Sequence, residues 1–182
     1  MKNLKICLVG KMRSGKSQAV EHIKSQFYPQ AEVVDFGDAL KEVVNILYPL
    51  NNNEDGSKRR KKLQTIGQHM RKLNEDIWIE CVDMKINKMP DTTILCASCR
   101  QQNEYNYLKK KGFIFIKIES DINDRVQRML DCGDNFEESD LNHETELLID
   151  SFEVDYIIKN NDTIESFKDK LNKIILDING GF

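Results

Sequence analysis

The sequence predicts a mixed α/β fold, with a central parallel sheet of about five strands covered by helices on both faces. Three observations predict it. Short apolar runs alternate with amphipathic helical stretches along the chain. The first apolar run feeds straight into a glycine-framed loop and a helix. The 182 residues, 40% of them hydrophobic, can bury one full core at a length where a single domain is the ordinary expectation. Parallel strands must be joined by crossovers, which are usually helices, so the alternation selects parallel pairing over hairpins.

Residues 4–9 form a short apolar run ending at Gly10, the pattern of a strand buried on both faces. Residues 16–27 read as a helix with Val20, Ile23 and Phe27 on one side. A second strand is expected over 31–36. The helical pattern over 38–48 spaces Leu40, Val43, Val44 and Leu47 at the helical period, and Pro49 helps to end it. Residues 51–57, with three consecutive Asn, an acidic pair and a glycine, read as a surface loop. Two moderately amphipathic helices follow at about 58–73 and 75–88, carrying Ile66, Met70, Leu73, Ile77, Val82 and Ile86. Strands are expected at 92–97, 113–118 and 155–158, with helices at about 102–111, 121–130 and 163–177. There is no internal repeat and no low-complexity linker. Residues 131–142 break the regularity with five acidic residues and one glycine, and a short exposed lid is expected at about 129–143.

Composition excludes several function classes. Lys plus Arg number 27 against 30 Asp plus Glu, so no global field draws the chain to nucleic acid or to anionic membranes. No apolar run approaches the ~18 residues needed to span a bilayer, and the opening is interrupted too soon by Lys11 and Arg13 to act as a signal peptide. A cytoplasmic location is expected. The five cysteines are an odd number in a chain without an export signal, which argues for reduced thiols. Cys96 and Cys99 form a C-x-x-C. A zinc site needs a second ligand pair and a redox site needs the motif opening a helix, whereas this pair ends an apolar strand, so packed thiols are expected.

Residues 10–17, Gly-Lys-Met-Arg-Ser-Gly-Lys-Ser, match G-x-x-x-x-G-K-S without a mismatch. The spacing lets the loop curl its backbone N–H groups around an anion while the next helix turns its positive end to the same charge. Gly10 and Gly15 allow the backbone torsions and the close approach. Lys11, Arg13 and Ser14 complete the cradle, Lys16 reaches the β- and γ-phosphates, and the Ser17 hydroxyl ligates Mg²⁺. The expected ligand is ATP with Mg²⁺. A guanine-reading Asn-Lys-x-Asp is missing, since Asn87-Lys88 is followed by Met89-Pro90, and a GTPase is set aside.

Further segments occur in one order after this loop. They are Phe36-Gly37-Asp38-Ala39-Leu40-Lys41; Leu63-Gln64 with Gly67, Arg71 and Trp78; Arg100 with Asn103-Glu104; Arg125 with Arg128; and His143 followed by Asp155-Tyr156-Ile157-Ile158 and Asn160. With the loop they resemble the bacteriophage-type deoxynucleoside monophosphate kinases, relatives of the adenylate and guanylate kinases, over about residues 4–176. The resemblance implies a P-loop, three-layer α/β sandwich with an acceptor-binding helical region at about 37–88. The implied activity is transfer of the γ-phosphoryl group of ATP to a (deoxy)nucleoside monophosphate, giving the diphosphate. It implies small-molecule nucleotide partners, and a host cytoplasm if the chain is phage-encoded. A homodimer is compatible with the sequence.

Such a transfer is mostly positioning and charge neutralisation, and arginine suits it because its planar fork holds phosphate oxygens bidentately. Arg71 is the candidate for holding the acceptor phosphate. Arg100 lies past the third strand, where ligands of open α/β sheets sit. Arg125 and Arg128 share a helix face beside the acidic excursion and look like lid arginines that exclude water. For each of these arginines a solvated surface position is the alternative. Asp38 and Lys41 open the segment where the resemblance puts the acceptor, though Asp38 equally suits a helix start with no further role. Trp78 either stacks near a base or fills the core. Ser98 departs from the family pattern, which places an Asp two residues before the strand-end arginine, and this leaves Asp35 as a substitute acid for the metal.

The run Lys58-Arg59-Arg60-Lys61-Lys62 opens a helix where cations oppose the dipole, and reads as a solvated face. His22, His69 and His143 show no ligand spacing. Two rivals accompany the monophosphate kinase: a kinase for another phosphorylated metabolite, such as a coenzyme A precursor, and a protein that binds ATP without transferring it.

Overall fold

The computed structural model describes residues 3–49, 56–133 and 148–180. Five strands, β1 (Lys5–Val9), β2 (Glu32–Val34), β3 (Ile94–Cys96), β4 (Ile114–Glu119) and β5 (Tyr156–Lys159), form one sheet in the order β2-β3-β1-β4-β5. The β1–β3, β1–β4 and β4–β5 registers are parallel. Seven α-helices accompany it among the described residues: α1 (Lys16–Gln26), α2 (Asp38–Leu47), α3 (Gly56–Leu73), α4 (Ile77–Ile86), α5 (Gln102–Lys110), α6 (Ile122–Asp131) and α7 (Ile164–Ile178). The fold class read from the alternation is the observed one.

The chain packs as two compact units, residues 34–90 and the remainder. In the larger unit, side chains alternate across the sheet as the strand period requires. Ile6, Leu8, Leu95, Ile116, Ile118 and Ile158 meet Ala19 and Ile23 of α1 and Phe167, Leu171 and Ile175 of α7. On the opposite face Phe115 lies 4.8 Å from Tyr105 of α5, and Tyr105 stacks on Phe152 at 4.7 Å. Cys7 pairs in register with Cys96 on that second face, both fully buried. Burial pushes the Cys7 thiol well above its ordinary range, and hydrogen bonds with Cys96 and Cys99 push it further. A protonated, enclosed thiol is a poor nucleophile and a poor metal ligand, so these cysteines act as packing groups.

The smaller unit holds α2, α3 and α4, which contact one another pairwise. A Cβ on Gly67 of α3 would stand 2.9 Å from Leu40 of α2, so glycine permits the close approach of these helices. Trp78 is 3% exposed and points its indole N–H toward the Gly67 carbonyl, which makes it a core residue of this unit. Arg59 donates to the Tyr48 carbonyl at 2.7 Å and to Asn45, and Lys62 lies over the Tyr48 ring. Part of the basic run therefore fastens the start of α3 to the end of α2, while Lys58, Arg60 and Lys61 are exposed.

Boundaries differ where side chains intervene. The second strand is shorter than expected because the Asp35 carboxylate accepts the Gly37 N–H at 2.7 Å and turns the chain into α2. Asp35 also pairs with Lys41 at 3.0 Å. Of the lid expected at 129–143, residues 134–143 lie outside the described residues; 129–131 complete α6, and Gly133 adopts a left-handed conformation. No helix among the described residues is long and apolar enough to cross a membrane.

Candidate phosphate-binding site

The connection leaving β1 runs toward β2 and that leaving β4 runs toward β5, so the chain diverges between two adjacent strands. Ligands of open α/β sheets bind beyond the carboxyl ends of strands at such a point. Residues 10–15 occupy it. Gly10 has φ 155°, and a Cβ there would stand 2.4 Å from the Ile118 carbonyl oxygen of β4. Gly15 has φ 114°, and its Cβ would stand 2.5 Å from Asn160 Nδ2, beyond β5. Neither position accepts a side chain. Arg13 is held left-handed at φ 59°, a conformation costing a non-glycine residue about 1–3 kcal/mol.

Side chains from outside the loop hold it in this shape by taking its carbonyls. Arg125 of α6 donates toward the Met12 carbonyl at 3.4 Å. Arg128 donates to the Arg13 carbonyl at 3.1 Å, to Ser120 Oγ at 3.0 Å and to the Asn160 carbonyl at 2.8 Å. Asn160 donates its side-chain amide to the Ser14 carbonyl at 2.8 Å. A trans peptide points its N–H opposite its C=O. Drawing these carbonyls outward therefore turns the amides of Arg13 and Gly15 the other way.

α1 starts at Lys16 with no side-chain cap among the described residues, so its first N–H groups retain the donor capacity of an open helix end. Lys16 folds back to donate to the Gly10 and Lys11 carbonyls at 2.6 and 2.9 Å. Ser17 follows it in the first turn, exposed. Ser14 Oγ is buried without a hydrogen-bond partner among the described residues, as is Arg125 Nε. A triphosphate fits these residues: glycine-lined backbone, an uncapped helix start and the Lys16 ammonium group converge on one point. No cluster of three or more metal-ligating side chains occurs among the described residues. Ser17, exposed in the first turn of α1, is the residue here that would hold a Mg²⁺ ion, together with phosphate oxygens.

Lys11 extends to Asp150 at 2.7 Å, and Asp150 also pairs with Lys117 of β4 at 3.1 Å. Burial alone would raise the Asp150 pKa, but the two ammonium groups outweigh it and hold the carboxyl below the usual range. Arg100 follows β3 as an exposed residue, and its backbone N–H donates to Glu104 at 2.8 Å. The buried Glu104 carboxylate caps α5 and so fixes the turn that carries Arg100. In the smaller unit, Asp38 lies 3.5 Å from both Lys41 and Lys85. Burial would lower the Lys41 pKa, yet Asp35 and Asp38 raise it overall. Arg71 closes α3, half-buried, near Gly67.

Sequence reasoning named the loop, Arg125 and Arg128, and quoted Asn160 only within a motif. It missed Lys117 and Asp150. Both carried a signal: a lysine inside the apolar run of β4, and an acid interrupting Leu148-Ile149-Asp150-Ser151-Phe152.

No protein-family model matches the chain, and no curated protein matches it in sequence. Solved structures do match. TT1252 of Thermus thermophilus superimposes with TM-score 0.61 at 13% identity, over 97% of this chain and 98% of that one. Dephospho-CoA kinase from Campylobacter jejuni gives 0.58 at 15% identity, over 100% and 99%. The fold is that of a P-loop kinase. Shikimate kinase from Acinetobacter baumannii, in complex with shikimate, gives 0.56 at 14% identity, over 97% and 93%. At such identities the P-loop kinase likeness speaks for architecture, and the acceptor must be argued from the site.

Proposed function

We propose that the chain is a kinase that transfers the γ-phosphoryl group of ATP, with Mg²⁺, to the phosphate of a (deoxy)nucleoside monophosphate. The observation that carries this proposal is the braced loop at the start of α1, whose carbonyls are drawn outward by Arg125, Arg128 and Asn160. Lys16 exchanges its loop carbonyls for β- and γ-phosphate oxygens, following the charge as it moves to the leaving group. Ser17 holds the metal, which neutralises phosphate charge when bound. The acceptor phosphate is already ionised at neutral pH and needs no general base, so an arginine has only to orient it, and Arg71 and Arg100 are the candidates for that role. Asp38 and Lys41, set in an ion-pair network with Asp35 and Lys85, hold the acceptor nucleoside. Arg128 serves by keeping the loop in shape, because a direct phosphate contact would compete with the three bonds it already makes. Arg125 braces Met12 through one nitrogen and retains a buried Nε donor for a phosphate.

The order of the motifs around Asp38, Arg71 and Arg100 favours a nucleoside monophosphate as acceptor. A coupled ADP-release assay with each deoxynucleoside monophosphate and with dephospho-coenzyme A tests it. ADP formed rapidly with particular monophosphates, and reduced about 10²–10³-fold or more by Lys16→Ala, is the expected result. Release with the coenzyme A precursor alone would assign the other acceptor. Tight ATP binding without ADP from any acceptor would make this a nucleotide-binding protein.

A further inference from the structure

We infer that Asp150 is a positioning residue for the phosphate loop, acting through Lys11. Residues 12–14 are each held by a backbone carbonyl, whereas the side chain of Lys11 is held by Asp150 Oδ2 at 2.7 Å. The Lys11 carbonyl in turn accepts from Ser14 N at 3.1 Å and from Lys16 Nζ at 2.9 Å. A single residue thus links the carboxylate to the catalytic ammonium and to the turn of the loop.

The carboxylate is itself firmly mounted. It stands on a 3-10 turn, Ile149–Ser151, whose Ile149 is buried and whose Ser151 hydroxyl donates to the Leu148 carbonyl at 2.7 Å. Its other oxygen accepts from Lys117, a side chain 13% exposed that also lies 3.4 Å from Glu119. Together with Ile118 and Ser120 these groups line a cavity of about 210 Å³ beside the loop.

Charge explains why an acid is needed here. Lys11, Lys16 and Lys117 are like charges, and without an anion between them Lys11 is repelled from Lys117 and carries its carbonyl, the acceptor of Ser14 N and Lys16 Nζ, out of place. Asp150 bridges Lys11 and Lys117, and so keeps that carbonyl where Ser14 and Lys16 meet it. The side chain is about half exposed, and exposed ion pairs contribute little to global stability. The effect of removing it is therefore local to residues 10–16.

This inference rests on the reading of residues 10–17 as a phosphate site, and the experiment separates the two. Hydrogen exchange of the loop amides is followed in the ligand-free full chain, and MgATP binding is titrated calorimetrically, for wild type, Asp150→Asn, Asp150→Glu and Lys117→Met. In Asp150→Asn, loop exchange is expected to quicken about tenfold and MgATP binding to weaken about tenfold, with partial recovery in Asp150→Glu and a smaller change in Lys117→Met. Unchanged loop exchange and affinity in folded Asp150→Asn would overturn the inference. Tighter MgATP binding would overturn it too, because Asp150 would then compete with phosphate rather than position the loop. Wild type that binds no MgATP would defeat the phosphate-site reading, whatever the exchange arm shows.

Discussion

The side-chain amide of Asn160 donates to the Ser14 carbonyl, and the same nitrogen lies 2.5 Å from where a Cβ on Gly15 would stand. One contact thus braces the loop and excludes any residue but glycine at its last position. Gly15→Ala meets both a backbone at φ 114° and that amide. It should weaken MgATP binding at least tenfold while far-UV circular dichroism stays native-like. Calorimetric titration checks this, and an alanine variant that binds ATP normally would mean the loop does not hold the phosphates.

Arg128 satisfies three acceptors on three segments of the chain. Lysine keeps the charge but not the fork, so Arg128→Lys leaves part-buried acceptors short of a donor, at about 1–3 kcal/mol. Thermal unfolding should fall by roughly 5 °C. MgATP affinity should fall with it. A variant with unchanged melting and affinity but reduced turnover would return Arg128 to direct contact with the transferred group.

Arg71 tests the acceptor side alone. Arg71→Ala should raise the KM for the monophosphate about tenfold or more, the scale expected for losing a charge-assisted contact, and leave the KM for ATP nearly unchanged. Steady-state kinetics with each substrate varied in turn distinguishes the two. Equal effects on both would remove Arg71 from acceptor binding.

The depressed pKa of Asp150 makes a signed pH prediction. A carboxylate whose folded pKa is lowered stabilises the native state fully above its unfolded value, about 3.9, and loses that contribution as pH falls through the lower folded value. Asp150→Asn should therefore narrow its stability gap to wild type only below about pH 4, and keep a small, constant gap from pH 5 to 8. The gap is small because the group is half exposed. Urea unfolding across that range measures it, and a gap that closes near neutrality would contradict the assignment.

The strand and helix alternation was legible because its causes are local. Apolar period, Gly10 after a buried strand and Pro49 after a helix all act within a few residues. The shape of the loop was legible for the same reason, since Gly10 and Gly15, both at positive φ, frame six consecutive positions between a strand and a helix. The paired arginines were visible as a spacing, but their targets, the Met12 and Arg13 carbonyls, lie more than a hundred residues earlier in the chain. Trp78 is the core residue that its apolar ring suggested, buried with its indole N–H toward the Gly67 carbonyl.

By itself the sequence determined the order of elements, the parallel sheet and the place of the glycine-framed loop, because period and backbone torsion are properties of neighbouring residues. Only the tertiary structure decided that Asp150 and Lys117 meet Lys11, and that Arg128 and Asn160 take the loop's carbonyls. Those contacts join segments from different strand ends, and adjacency across a sheet follows from strand order, which no local pattern encodes.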